Sequence, residues 1–256
     1  MKNYKVGVIG ATGMVGQRLV TLLSNHPWFH IEVLAASGKS AGKTYENAVS
    51  GRWAMESEIP ENVREMVVLD AEKDAEGIAS VVDFVFCAVN MDKSATKDLE
   101  EKYAKLECPV MSNNSANRGV SDVPMIIPEI NPEHIEAVAA QKKRLGTKRG
   151  FISAKSNCSI QSYVPALHPL MKFGITKVLA CTYQAISGPE KTLNAGRKWL
   201  ITLFRISEEK KKKAKKNPLK SGEKSKTAKS STPFPLLSQL NVFVFRFPTV
   251  IPPLFS

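Results

Sequence analysis

Seven residues near the N-terminus, Gly10-Ala11-Thr12-Gly13-Met14-Val15-Gly16, leave this chain few folds to choose from. They follow a short apolar run at 5–10 and open an amphipathic stretch at 15–24, so glycine stands first, fourth and seventh in a strand-to-helix turn. Glycine permits the tight turn and lets backbone approach a pyrophosphate, whose charge the N–H groups at the helix start can meet. A purely structural glycine-rich turn is the alternative, and strand, loop and helix falling in register argue against it.

The rest of the first 150 residues agrees with that motif. Short β-branched runs at 5–10, 31–36, 65–70, 83–88 and 110–112 alternate with helical stretches at 15–24, 93–106 and 132–141, the last opened by Asn131 as cap and Pro132 at the first position. This alternation predicts βαβ units on a parallel sheet, an α/β fold of the Rossmann-type, doubly wound class. A second domain is expected to begin near 151, with a helix over 158–171 and a strand over 176–185.

Charge divides the chain unevenly. Of 36 basic and 24 acidic residues, 14 and 3 fall in 196–256, leaving 22 against 21 before them. The net charge of +12 therefore belongs to a tail. Its Lys210–Lys216 run and Ser/Lys/Thr stretch at 221–232 read from composition as disordered. A nucleic-acid-binding arm is the competing reading, although the basic run lacks interleaved aromatics. No apolar stretch is long enough to span a membrane and no signal peptide is evident, so a cytoplasmic location is expected. Cys87, Cys108, Cys158 and Cys181 fall outside any CxxC spacing, which suggests neither a metal site nor a disulfide framework.

At the end of the second strand candidate the chain reads Ala35-Ala36-Ser37-Gly38-Lys39-Ser40. An acid here would hold the ribose 2′-hydroxyl of NAD; its absence, with Ser37, Lys39 and Ser40 as donors to a 2′-phosphate, favours NADP. A solvated Ser/Lys turn is the plainer alternative. Cys158, in Ser156-Asn157-Cys158-Ser159-Ile160, precedes a helical pattern, a setting that favours thiolate. A lone cysteine is more often packing than chemistry, but beside a dinucleotide fold a thiol can carry acyl transfer coupled to hydride transfer.

Together these residues resemble the aspartate-semialdehyde dehydrogenases. The resemblance rests on residues 10–16 and 37–43, on Ser112-Asn113-Asn114-Ser115-Ala116-Asn117-Arg118, and on residues 123–131, 156–160 and 182–188. It covers nearly all of residues 1–195. It implies that 4-phospho-L-aspartate and NADPH give L-aspartate 4-semialdehyde and phosphate, on the shared route to lysine, methionine and threonine. It further implies Cys158 as nucleophile, Asn157 beside it, Arg118 as phosphate clamp, Gln184 near the reacting carbonyl, and Ser187 and Gly188 at the nicotinamide. Gly10, Thr12, Gly13, Met14, Val15 and Gly16 would hold the pyrophosphate. N-acetyl-glutamyl-phosphate reductases share the glycine loop and the thiol, but residues 112–118 and 184–188 argue against them.

The resemblance also implies an α+β catalytic domain like that of glyceraldehyde-3-phosphate dehydrogenase and assembly as a homodimer or homotetramer. That domain is expected to be truncated here, which puts assembly in doubt. The family's substrate-binding arginine and its histidine after an Asp-Gly pair have no counterpart: His26, His30, His134 and His168 all lie upstream of 195. The tail reads as translation in a shifted frame. Regrouping codons permitted for residues 242–251 gives Arg-Val-Pro-Val-Ser-Asp-Gly-His, and the same one-base offset applied from Ala195 gives another family-like stretch. A chain of this kind is expected to bind cofactor and turn over poorly.

Overall fold

A computed structural model describes residues 3–173 and the strands Cys181–Ala185 and Trp199–Leu203. The backbone divides into two units, Met1–Asn157 and Cys158–Ser256. The first unit is the parallel sheet the alternation predicts. Its strands are β1 (Tyr4–Ile9), β2 (Phe29–Ala36), β3 (Leu69–Asp70), β4 (Phe84–Cys87), β5 (Val110–Ser112), β6 (Met125–Ile126) and β7 (Ile152–Lys155). Between them run α1 (Met14–Leu23), α2 (Tyr45–Val49), α3 (Glu61–Arg64), α4 (Ala75–Val81), α5 (Lys93–Lys105) and α6 (Ala137–Leu145).

All neighbouring strands pair parallel, in the order β3-β2-β1-β4-β5-β7-β6. The chain builds outward from β1 through β2 to β3, then returns to the other side of β1 with β4. A crevice opens at the carboxyl ends of the strands where the winding reverses, between β1 and β4.

Alternation along β1 sends Val6 and Val8 to one apolar layer with α1 and α2, and Ile9 to the other with α4 and α5. Both faces are therefore covered, as a parallel sheet requires. In β2 the register skips Glu32: Val6 pairs with Ile31 but Gly7 with Val33. That bulge shifts the alternation, so Ile31 and Leu34 share one layer while Val33 and Ala35 share the other. Large side chains with no exposed surface, such as Ile78 and Ile152, contribute about 2–3 kcal/mol each through burial.

Several sequence expectations need adjustment. The strand expected over 65–70 is regular only at β3, its earlier part making a lone antiparallel bridge from Val67 to Thr44. The helix expected over 132–141 starts as a 3-10 turn at Pro132–Glu136 before α6 takes over, because its Asn131 side chain caps the preceding loop instead, accepting from Ile127 N at 2.8 Å. In the second unit the helix expected over 158–171 is broken into α7 (Cys158–Gln161), α8 (Val164–Leu167) and a 3-10 segment, His168–Phe173. Pro165 and Pro169 supply no N–H to a continuous ladder.

Strand β8 (Cys181–Ala185) pairs antiparallel with β9 (Trp199–Leu203). Residues 199–203 thus form a strand inside the segment that composition reads as disordered. Composition averaged over the basic segment hides Trp-Leu-Ile-Thr-Leu, a run with strong strand preference. The remainder of the tail lies outside the described residues. No helix among the described residues is long and apolar enough to cross a membrane.

Candidate functional site

The loop after β1 is shaped by its glycines. Gly10 has φ +87°, a left-handed conformation, and a Cβ there would sit 2.5 Å from the Ala88 carbonyl oxygen at the end of β4. Gly10 and Ala11 both donate to the Ala35 carbonyl, at 2.8 and 3.0 Å, tying the turn to β2. Gly13 is the N-cap of α1 and brings no side-chain cap, while a Cβ on Gly16 would run into Gly10 O and the Ala11 backbone. Two buried side chains brace this turn. The Tyr45 hydroxyl donates to Ala11 O at 3.0 Å, and burial holds its phenol well above the ordinary range. Gln17 donates to Thr12 O and Arg52 O, each at 3.1 Å, and accepts from Ala54 N at 2.8 Å.

Beside this turn lies a cleft of about 420 Å³ at the carboxyl ends of β1, β2, β3 and β4. Gly10, Thr12, Gly13, Ser37 and Gly38 line it. Met14, Val15, Gly16, Lys39 and Ser40, expected at the same site, do not. Gly16 is buried beneath the loop and Val15 is 41% exposed on the far side of the first helical turn. Ser40 is buried, its hydroxyl accepting from Arg52 Nη2 at 3.0 Å, and Lys39 is solvated.

The cleft also contains Arg52, Asp70, Lys73 and Asn90, which the sequence did not disclose. Asp70 ends β3, and the rule that ligands sit at strand carboxyl ends would have found it. Arg52 follows the five-residue α2 and carries no sequence signal. The backbone N–H groups of Lys73 and Glu72 donate to the Asp70 carboxylate and hold its pKa below the usual value. The glycine cradle, open helix start and nearby cations fit a nicotinamide dinucleotide.

The loop after β5 is held by side chains instead. Glu100 on α5 has no exposed surface, and its carboxylate accepts from Ser112 Oγ at 2.5 Å, Asn114 Nδ2 at 2.9 Å and Asn117 Nδ2 at 2.7 Å. Asn117 Oδ1 and Ser156 Oγ are buried with no hydrogen-bond partner among the described residues. Arg118, at the end of this loop, donates from Nε to Lys155 O at 2.9 Å and from Nη2 to Asn113 O at 3.0 Å. The loop is thereby tied to the end of β7, after which Ser156, Asn157 and Cys158 follow in sequence.

Cys158 is the first residue of α7, a single turn, so the helix-start argument for its thiolate rests on one turn of dipole. It is exposed, whereas Cys87 and Cys108 are buried. Burial pushes the Cys87 thiol far up and the Cys108 thiol up to about 12, which makes both inert. Asn157 is exposed at the end of the first unit. Gln184 lies on β8, and Ser187 and Gly188 lie outside the described residues. Among the described residues no group of His, Cys, Asp and Glu side chains could hold a metal ion.

Comparison with known proteins agrees with this architecture. The family model for the semialdehyde dehydrogenase NAD-binding domain matches residues 5–138. The aspartate-semialdehyde dehydrogenase of Archaeoglobus fulgidus is 42% identical over 189 residues, covering 73% of this chain and 52% of that protein. That of Methanothermobacter thermautotrophicus is 41% identical over 184 residues, 72% and 50% of the two chains. This chain thus spans about half the length of the relatives it matches. Among solved structures, aspartate-semialdehyde dehydrogenase with NADP from Candida albicans superposes with a TM-score of 0.63 at 40% identity, covering 74% of this chain and 53% of that one. The chain belongs to the semialdehyde dehydrogenase family through its NAD-binding domain, as its motif resemblance to the aspartate-semialdehyde dehydrogenases implied.

Proposed function

We propose that this chain carries the machinery for NADP-dependent reductive dephosphorylation of 4-phospho-L-aspartate to L-aspartate 4-semialdehyde, a step towards lysine, methionine and threonine. One observation carries the reading: a family-matched dinucleotide fold is joined directly to a strand end, Lys155, that holds Arg118 and leads within three residues to the exposed thiol of Cys158.

In this reading the Cys158 thiolate attacks the acyl phosphate carbonyl, the C–O bond to phosphate breaks, and a thioester forms. Arg118 receives the departing phosphate, for which a guanidinium offers a matched fork. NADPH, when bound, supplies the hydride that reduces the thioester carbon. Collapse of the resulting hemithioacetal frees the aldehyde and returns the thiolate. Asn157 and Gln184 orient the acyl group, and Ser187 and Gly188 border the nicotinamide. The relative from Candida albicans was solved with NADP, and no carboxylate follows β2 in the chain until Glu46, which supports NADP over NAD. A cytoplasmic location and no nucleic-acid partner belong to the same proposal, whereas homodimer or homotetramer assembly belongs to the intact family and not to this shortened chain.

The 256 residues contain no histidine after an Asp-Gly pair. General acid–base help commonly contributes about 10²–10⁴-fold. We therefore expect the chain as it stands to form NADPH from the semialdehyde, phosphate and NADP at under about 1% of the rate of a frame-restored chain. Cys158→Ala in the restored chain should abolish the reaction. Equal turnover by the two chains, or activity surviving the alanine, would overturn the assignment.

A further inference from the structure

We propose that Arg52 is the residue that selects a 2′-phosphorylated dinucleotide in the cleft, a role the turn after β2 alone does not fill. The proposal rests on reading that cleft as the NADP site.

Three observations lead to it. Arg52 lines the same cleft as Gly10, Gly13, Ser37 and Gly38. Its guanidinium is moored to the segment after β2, from Nη2 to Ser40 Oγ at 3.0 Å, and to the end of α2, from Nε to Ala48 O at 3.0 Å. Ser40 N in turn closes on Ser37 O at 2.8 Å, so the guanidinium is fixed to the stretch where a ribose 2′-substituent is met in this fold. Finally, its backbone carbonyl accepts from Gln17, a side chain of α1 only 2% exposed, so the arginine is referenced to the helix whose start faces the pyrophosphate.

The bonds of Arg52 engage Nε and Nη2, and among the described residues its Nη1 makes none and no carboxylate pairs with it. Nη2 gives one N–H to Ala48 O and the other to Ser40 Oγ, so the guanidinium keeps the two N–H groups of Nη1 to meet a phosphate oxygen. Charge balance makes that cation necessary. Glu72 lines the cleft, and the Asp70 carboxylate borders it where a Cβ on Gly38 would lie 2.9 Å from Asp70 Oδ2. Both work against a phosphate dianion and leave an unphosphorylated ribose tolerated. Of the donors the sequence suggested, Lys39 is exposed and Ser40 is buried with its hydroxyl accepting from Arg52, and neither lines the cleft. Lys73 does line the cleft, but its side chain is solvated and makes no bond that would fix it.

The test is equilibrium binding of NADPH and NADH to the full chain and to Arg52→Met, with a thermal melt of each. We expect the methionine variant to bind NADPH roughly 10–100-fold more weakly while NADH changes less than about twofold, in keeping with the loss of a charge-assisted phosphate contact. Arg52→Lys keeps the charge but not the moored, planar N–H geometry. It should lose about 3–10-fold for NADPH alone, and it stands in if the methionine variant melts out. Asp70→Asn should move the other way, tightening NADPH a few-fold. Equal weakening of both cofactors would make Arg52 a structural residue, and no weakening would remove it from the site; either overturns the proposal. A starting chain that binds NADH as tightly as NADPH, or neither, would instead overturn the NADP reading on which it rests.

Discussion

The loops after β1 and after β5 face similar demands and meet them differently. Each leaves a strand of the same sheet and in the proposed function each receives an anion. The first is formed almost wholly by backbone: Gly10 takes a conformation other residues resist, and Gly16 lets α1 close on the turn. The second is formed by side chains, with a buried Glu100 gathering Ser112, Asn114 and Asn117 from a helix that precedes it. A backbone-built loop is specified by what cannot be there, whereas a side-chain-built loop is specified by a partner elsewhere in the chain.

Four substitutions would break or sharpen that contrast. Glu100→Ala should have the largest effect, since it leaves several buried donors without an acceptor, at about 1–3 kcal/mol each. We expect a loss of about 3–5 kcal/mol in urea unfolding, with NADPH affinity of the folded protein nearly unchanged. A loss under about 1 kcal/mol would mean that the second loop does not depend on its side chains. Gly16→Ala should come next, at about 2–3 kcal/mol, because its methyl meets backbone that cannot move aside. Unlike the first, it should also weaken NADPH at least tenfold.

Tyr45→Phe removes only the hydroxyl that braces Ala11 O and should cost about 1 kcal/mol in the same assay. The smallest effect concerns Glu107, which follows α5 at φ 61° and accepts from Lys148, Arg149 and Gly150 N–H groups. Those bonds lower its carboxyl pKa to about 2. A carboxyl lowered on folding adds stability above its unfolded value, and that stability drains away as pH falls from about 4.5 towards 2. Glu107→Gln should therefore flatten the pH dependence of stability across that window and leave the neutral-pH slope alone. An unchanged acid limb would detach Glu107 from the anchoring of α5.

The contrast also explains what the sequence disclosed. The doubly wound parallel sheet was legible because glycine and β-branched runs record local backbone demands, and Gly10, Thr12 and Gly13 of that turn line the cleft. Ser37 was legible because it follows directly on β2. Lys39 and Ser40 do not line the cleft; Ser40 is buried, its hydroxyl accepting from Arg52, twelve residues away, a contact no periodicity records. Glu100 was invisible for the same reason: on α5 its charge looks like one more solvated helix residue beside Glu101. Pro165 and Pro169 could have warned that no long helix follows Cys158.

The claim on which the rest depends is that the backbone-built loop after β1 binds the pyrophosphate of NADP. Titrating the full chain with NADPH, then displacing it with 2′,5′-ADP, tests this most directly. We expect saturable binding at one site per chain, released by 2′,5′-ADP and abolished by Gly10→Val, whose side chain would collide with Ala88 O. Absence of saturable binding, or binding that Gly10→Val leaves intact, would contradict it.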